Sequence, residues 1–241
     1  MINTECENRM KMLTKKIIWK LCDVFPRKTY VTYSGMKTGL MRNRLDVMFK
    51  RLAPERQDQP HYELTLLSAL SESVRAGDRV VIVGGGYGVT AVKAATQSGE
   101  NGRITVYEGS STQSQIIRKT LELNNVTNVD VVSSIVGVNV AVYDGYTDDA
   151  DVIDPTTLPD CELLELDCEG AEMFILDAMI IKPDRILVET HGIYGAPTKV
   201  ITEKLIKKGY NVVNLGIAEP QYQEFCVKND ICILQATISD D

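Results

Sequence analysis

Gly84, Gly86 and Gly88 stand at alternate positions of Val83-Gly84-Gly85-Gly86-Tyr87-Gly88, directly after the apolar run 79–83. Missing side chains let a ligand approach the backbone, and a helix starting there points free N–H groups at it. Twenty residues beyond Gly88 comes Glu108, at the tip of Ile104-Thr105-Val106-Tyr107-Glu108. A carboxylate at the end of a second strand is placed to accept hydrogen bonds from both ribose hydroxyls. The two features together predict an adenosine site, to which Gly85 and Tyr87 of the same turn also belong. The dinucleotide fingerprint G-x-G-x-x-G would put its third glycine at position 89, which is Val89. The spacing therefore tilts the cofactor from NAD towards S-adenosylmethionine.

A second set of ionisable residues follows later strands. Asp167, Cys168 and Glu169 come after the run 162–166, and Glu189, Thr190 and His191 close the run 185–190. Methyl transfer needs an acceptor aligned with the sulfonium carbon and, for a hydroxyl, the removal of a proton. Imidazole titrates nearest neutrality, so His191 is the candidate base, with Asp167 and Glu189 as its catalytic companions. Asp167 is also a candidate partner of the cofactor's ammonium group. The same acids and His191 are hard donors that suit Mg²⁺ or Mn²⁺, but nothing in their spacing demands a metal, and metal-free chemistry ranks above it. Ser134 and Ile135, after the run 129–133, are placed to border an adenine ring. Glu63 either faces solvent or reaches the cofactor from the preceding helix. Glu172 opens a helix and most simply complements its dipole.

These positions require strands that end at one edge, since ligands of open α/β sheets bind outside the carboxyl ends near the switch point. Apolar runs predict strands at 79–83, 104–108, 129–133, 162–166, 185–190, 210–215 and 230–236. Helical spacing falls at 61–74 and about 87–97, 112–124, 171–179 and 197–208. Such alternation gives a parallel sheet with right-handed crossovers. Residues 217–229 show no helical pattern, so the last two strands are expected to pair directly and antiparallel. The expected fold is α/β: a Rossmann-like, seven-stranded, mostly parallel sheet with an antiparallel last strand, in three αβα layers. Residues 1–60 are expected to be an extension, with a helix at 14–25, a short strand at 29–34 and a linker at 54–60. The main domain is then 61–241. Residues 138–160 suggest a short hairpin and a loop.

Composition narrows the class. An apolar content of 44% is enough for a full core. No apolar run approaches the ~20 residues that cross a bilayer, and the amino terminus lacks the pattern of a signal peptide. The six cysteines form no C-x-x-C pair, which suits reduced thiols and a cytoplasmic location. Residues 1–62 hold 13 Lys/Arg against 6 Asp/Glu, and 63–241 hold 13 against 27. A basic arm on an acidic body can contact an anionic partner such as a membrane surface, or lie on its own domain, the more common outcome. No clear nucleic-acid signature accompanies it, and oligomer formation stays open.

Val81 to Gly88, Tyr107-Glu108, Leu164-Glu165-Leu166-Asp167-Cys168-Glu169-Gly170-Ala171-Glu172 and Val188-Glu189-Thr190-His191-Gly192 together resemble FkbM-type S-adenosylmethionine-dependent methyltransferases. The resemblance covers about residues 61–236, and D-x-E-G-A-E is its most specific block. It implies O-methylation of a hydroxyl on a sugar, glycan or other small molecule. It also implies that Gly84, Gly86 and Gly88 cradle the methionine part, Glu108 holds the ribose, and Ser134 and Ile135 flank adenine. Asp167, Glu169, Glu189 and His191 would lie at the methyl-transfer end. One departure is Ile82, where many methyltransferases carry an acid; Glu63 or Asp167 would stand in. Two rivals keep the fold: a nicotinamide-dependent oxidoreductase, and a non-catalytic nucleotide-binding protein that uses the basic arm for a partner.

Overall fold

The computed structural model describes residues 29–48, 50, 53–137 and 151–239. The expected helix at 14–25 lies outside them. The chain opens with an antiparallel hairpin, β1 (Thr29–Tyr33) and β2 (Met36–Arg42), then a short helix α1 (Arg44–Met48). Helix α2 (Leu64–Ser73) leads into β3 (Arg79–Val83), α3 (Val89–Ser98), β4 (Arg103–Tyr107), α4 (Ser111–Leu123) and β5 (Val129–Val132). Two short strands follow, β6 (Ser134–Val136) and β7 (Asp151–Ile153). The second half runs β8 (Leu163–Leu166), α5 (Glu172–Ala178), β9 (Arg185–Glu189), α6 (Thr198–Lys207), β10 (Tyr210–Ile217), α7 (Gln223–Asn229) and β11 (Cys232–Ile238).

The seven-stranded sheet has the order β10-β11-β9-β8-β3-β4-β5. Its strands are parallel except β11, which lies antiparallel between β9 and β10. The central strands are buried on both faces, which is why they read as unbroken apolar runs. Alternate residues of β3 feed two cores. Val80 and Ile82 pack with α2, α3 and α4, whereas Val81 and Val83 pack with α5 and α6. This is the three-layer arrangement expected from the strand–helix alternation. The hairpin residues Val31 and Tyr33 are fully buried in the first of these cores, beside Leu66 and Leu70.

Two local expectations are corrected. Residues 217–229 do contain a helix, α7, after a 3₁₀ turn at Pro220–Tyr222. Only Cys226 of α7 is buried, so the apolar periodicity that announces a helix is missing. Of the segment 138–160, residues 138–150, where a hairpin is expected, lie outside the described residues; β7 pairs parallel to β6. The stretch 54–60 is held in place: Gln59 exchanges backbone hydrogen bonds with Thr32 and Ser34, and Arg56 is buried against Asp46 at 3.3 Å.

Candidate active site

The chain leaves β3 towards β4 and β5 on one side and returns to β8 and β9 on the other, so the switch point lies between β3 and β8. A crevice outside the carboxyl ends is expected there. Gly84, Gly86 and Gly88 all sit there with positive φ (95°, 50° and 80°), and Gly88 caps the amino end of α3. The requirement for glycine at 84 is steric as well as conformational. A Cβ there would stand 1.8 Å from the backbone oxygen of Asp167. The turn is thus pressed onto the end of β8.

Glu108 follows β4 and bends over this turn. Its Oε2 accepts the N–H of Gly85 at 3.2 Å, and its Oε1 accepts the N–H of Ser110 at 2.9 Å. Burial raises its carboxyl, and the backbone donors pull it back. The side chain of Gln113, in the first turn of α4, donates to the carbonyl of Gly86 at 2.7 Å. Ile135 lies against Gly109, 2.7 Å from where a Cβ on that glycine would stand, and Ser134 is buried beside it. The expected ribose and adenine residues therefore share one side of the edge. The ring of Tyr87 points elsewhere, into a cluster with Tyr33 and Tyr62 at centroid distances of 5.1 and 5.9 Å.

Glu63 reaches the turn from the other side. It precedes α2 in a left-handed conformation (φ 49°), its N–H donating to Glu219 Oε1 at 2.8 Å, and this is why the helix starts at Leu64 instead of 61. Its Oε1 lies 3.7 Å from the Cβ position of Gly86. Burial, then the charge of Asp167, raises its carboxyl to about 8. Ile82 is fully buried, and its partner on the neighbouring strand is Glu165, itself fully buried. Burial, then Glu63 and Asp167, hold the Glu165 carboxyl well above the usual range.

The structure brings Asp167, Glu169, Glu189 and His191 together. His191 Nε2 faces Asp167 Oδ1 at 3.5 Å, Glu189 Oε1 at 3.7 Å and Glu169 Oε2 at 3.9 Å. Burial raises the Asp167 carboxyl to about 7, against the lowering influence of His191. Burial likewise holds Glu189 well above its ordinary value, with Asp167 and Glu63 adding to it. For His191, burial favours the neutral ring, but the hydrogen bond to Glu172 and the surrounding acids outweigh it, giving about 9.

Glu172 is more than a helix-end charge. It opens α5 as expected, yet it is fully buried, and its Oε1 bonds His191 Nδ1 at 2.8 Å and accepts the N–H of Cys168 at 3.1 Å. A carboxylate only accepts, so Nδ1 donates and the ring is fixed in orientation. Reading the sequence by strand ends finds His191 but not this partner 19 residues earlier. Tyr62 and Gln113 also border the turn and carry no motif that would have marked them.

Neither a protein-family profile nor any curated protein matches this sequence. Solved structures do. A dimethyladenosine transferase from Plasmodium falciparum superposes with a TM-score of 0.52 at 11% identity, over 74% of this chain and 63% of that one. A precorrin-6y C5,15-methyltransferase from Geobacter metallireducens gives 0.49 at 19% identity, over 72% and 87%. A SAM-dependent O-methyltransferase from Thermotoga maritima gives 0.46 at 16%, over 80% and 71%. The sheet order, the antiparallel β11 and the first of these superpositions define a Rossmann-like methyltransferase fold.

Proposed function

We propose that this protein is an S-adenosylmethionine-dependent methyltransferase of FkbM type, acting on a hydroxyl of a sugar, glycan or other small molecule. The observation that carries this reading is one corner of the sheet. Three left-handed glycines, the first of them pressed onto the end of β8, share the switch point with Glu108. Gly84, Gly85, Gly86, Tyr87 and Gly88 supply backbone to the methionine part. Glu108 takes the ribose hydroxyls in exchange for its present backbone donors, and Ser134 and Ile135 border the adenine.

The charge of the edge fits this ligand. S-adenosylmethionine brings a sulfonium and an ammonium to a site rich in carboxylates. Glu63 and Asp167, at the methionine side of the turn, stand in for the acid absent at Ile82. Asp167, Glu189 and His191 form the acceptor end, where a hydroxyl loses its proton as the methyl group moves. Tyr194, half-exposed with its ring centroid 6.2 Å from that of His191, offers an aromatic wall to the acceptor.

Calorimetry with S-adenosylhomocysteine tests the reading. Micromolar binding by the wild type is expected, weakened about tenfold or more in Glu108→Ala, a loss of at least ~1.4 kcal/mol. Absence of binding to the wild type ends the proposal. Transfer of a labelled methyl group to glycan and small-molecule extracts then identifies the acceptor class.

A further inference from the structure

The acceptor end has a geometry that proton transfer alone does not require. Asp167, Glu189 and His191 each offer one ligand atom, and these atoms lie within 4.8 Å of one another. They come from the ends of two adjacent parallel strands, β8 and β9, so the backbone fixes their convergence. The His191 side chain is only 4% exposed, and its ring is held by Nδ1–H donating to the fully buried Glu172. That leaves Nε2 aimed at the carboxylates of Asp167 and Glu189, at 3.5 and 3.7 Å, with no hydrogen bond closed on it among the described residues.

Nε2 facing two carboxylates calls for a positive charge between them, which its own proton or a bound cation can supply. The spacing suits a metal ion. With metal–ligand bonds of about 2.1 Å, neighbouring donors in an octahedron lie about 3 Å apart and opposite donors about 4.2 Å. The separations of Nε2 from Asp167 and Glu189, 3.5 and 3.7 Å, fall between these. A buried carboxylate holding the far nitrogen of a histidine is the usual support of a metal-bound imidazole. One nitrogen and two carboxylate donors, in a partly open site, suit a hard or borderline divalent cation with coordination positions left for oxygen ligands.

We propose that Asp167, Glu189 and His191 bind one divalent cation of the Mn²⁺ or Mg²⁺ type. Glu172 is a positioning residue that keeps Nε2 turned towards the ion. The inference deepens the methyltransferase reading and rests on it for the ion's role: its open positions would take the acceptor's hydroxyl and a neighbouring oxygen. That selects acceptors with two adjacent oxygens, such as vicinal diols, over isolated alcohols.

The test uses the full chain and Mn²⁺ as the probe. Titration followed by the electron paramagnetic resonance of free Mn²⁺ should show one bound ion per chain. Pulsed measurements on the bound ion should show modulation from a directly coordinated imidazole nitrogen, lost in His191→Gln. Glu189→Gln should weaken binding by about tenfold or more, and Glu172→Gln should weaken it while keeping the nitrogen signal, within the ~10–100-fold typical of supporting residues. Thermal melting checks that each variant is folded; Glu189→Gln, in a partly exposed side chain, keeps the test usable if the buried His191 variant is not. No binding at millimolar Mn²⁺, bound Mn²⁺ without nitrogen modulation, or binding unchanged in Glu189→Gln each overturns the proposal. Calorimetry with S-adenosylhomocysteine separates the two readings. Homocysteine-adduct binding without any Mn²⁺ site sinks the metal alone, and a Mn²⁺ site without such binding sinks the methyltransferase reading alone.

Discussion

The two ends of the sheet treat charge in opposite ways. At the amino ends, acids meet arginines. Arg79 pairs with Glu162 at 2.6 Å, Arg103 with Asp130 at 2.5 Å, and the buried Arg185 with the buried Asp78 at 3.0 Å. At the carboxyl ends, Glu63, Asp167 and Glu189 crowd together, and among the described residues Asp167 and Glu189 pair only with His191. The first arrangement is complete within the chain. The second holds more acids than cations, so burial and mutual repulsion keep their carboxyls above the ordinary range, which costs stability and favours a cationic ligand. Functional edges commonly show such a trade of stability for binding.

The contrast can be broken most sharply at its buried, balanced end. Arg185 donates to Asp78 and to the carbonyl of Ser73, so Asp78→Ala strands a guanidinium in the core. Urea denaturation should show a loss of about 3–5 kcal/mol, much of it recovered when Arg185→Met is added. At the other end, Gly84→Ala should cost about 3 kcal/mol, because the new methyl collides with the Asp167 carbonyl and the backbone is left-handed. A melting temperature near that of the wild type would show that the turn yields. Glu189→Gln, measured without added metal or cofactor, should have the opposite sign to Asp78→Ala. Stability is expected to stay level or rise by up to about 1 kcal/mol. A clear loss would show that this carboxylate is already balanced and would erase the contrast. The smallest effect is expected for Arg103→Ala, since Arg103 and Asp130 are both exposed; a change beyond about 0.5 kcal/mol would place it outside ordinary surface pairs.

The layers of the fold were legible because burial on both faces writes an unbroken apolar run. β3, β4, β8 and β9 could be placed almost to the residue, and their ends then located Gly84, Glu108, Asp167, Glu189 and His191. What the chain order hides is whatever depends on a distant partner. The bond between Glu172 and His191 joins the start of one helix to the end of the next strand, and neither residue type announces it. The placement of Glu165 beside Ile82 arises from strand register, which no local pattern records. Helix α7 was missed for a different reason: it leaves Phe225 and Val227 exposed and buries little, so its composition lacks the inward-facing stripe. β6 and β7 are three residues each, too short for alternation to register.

Thr120, on α4, joins the amino-terminal hairpin to the glycine turn after β3 through a single oxygen. Its Oγ1 accepts the amide of Gly39 at 2.8 Å and can donate to the carbonyl of Tyr87 at 2.7 Å or of Ile116 at 3.0 Å. The hydroxyl owns one hydrogen, so only one of those carbonyls is served at a time. Gly39 has no room to shift towards the helix, since even a methyl there would stand 2.4 Å from the Ile116 oxygen. Anything that tugs the hairpin outward therefore loosens the oxygen that tethers Tyr87, and the glycine turn would register the pull one bond later.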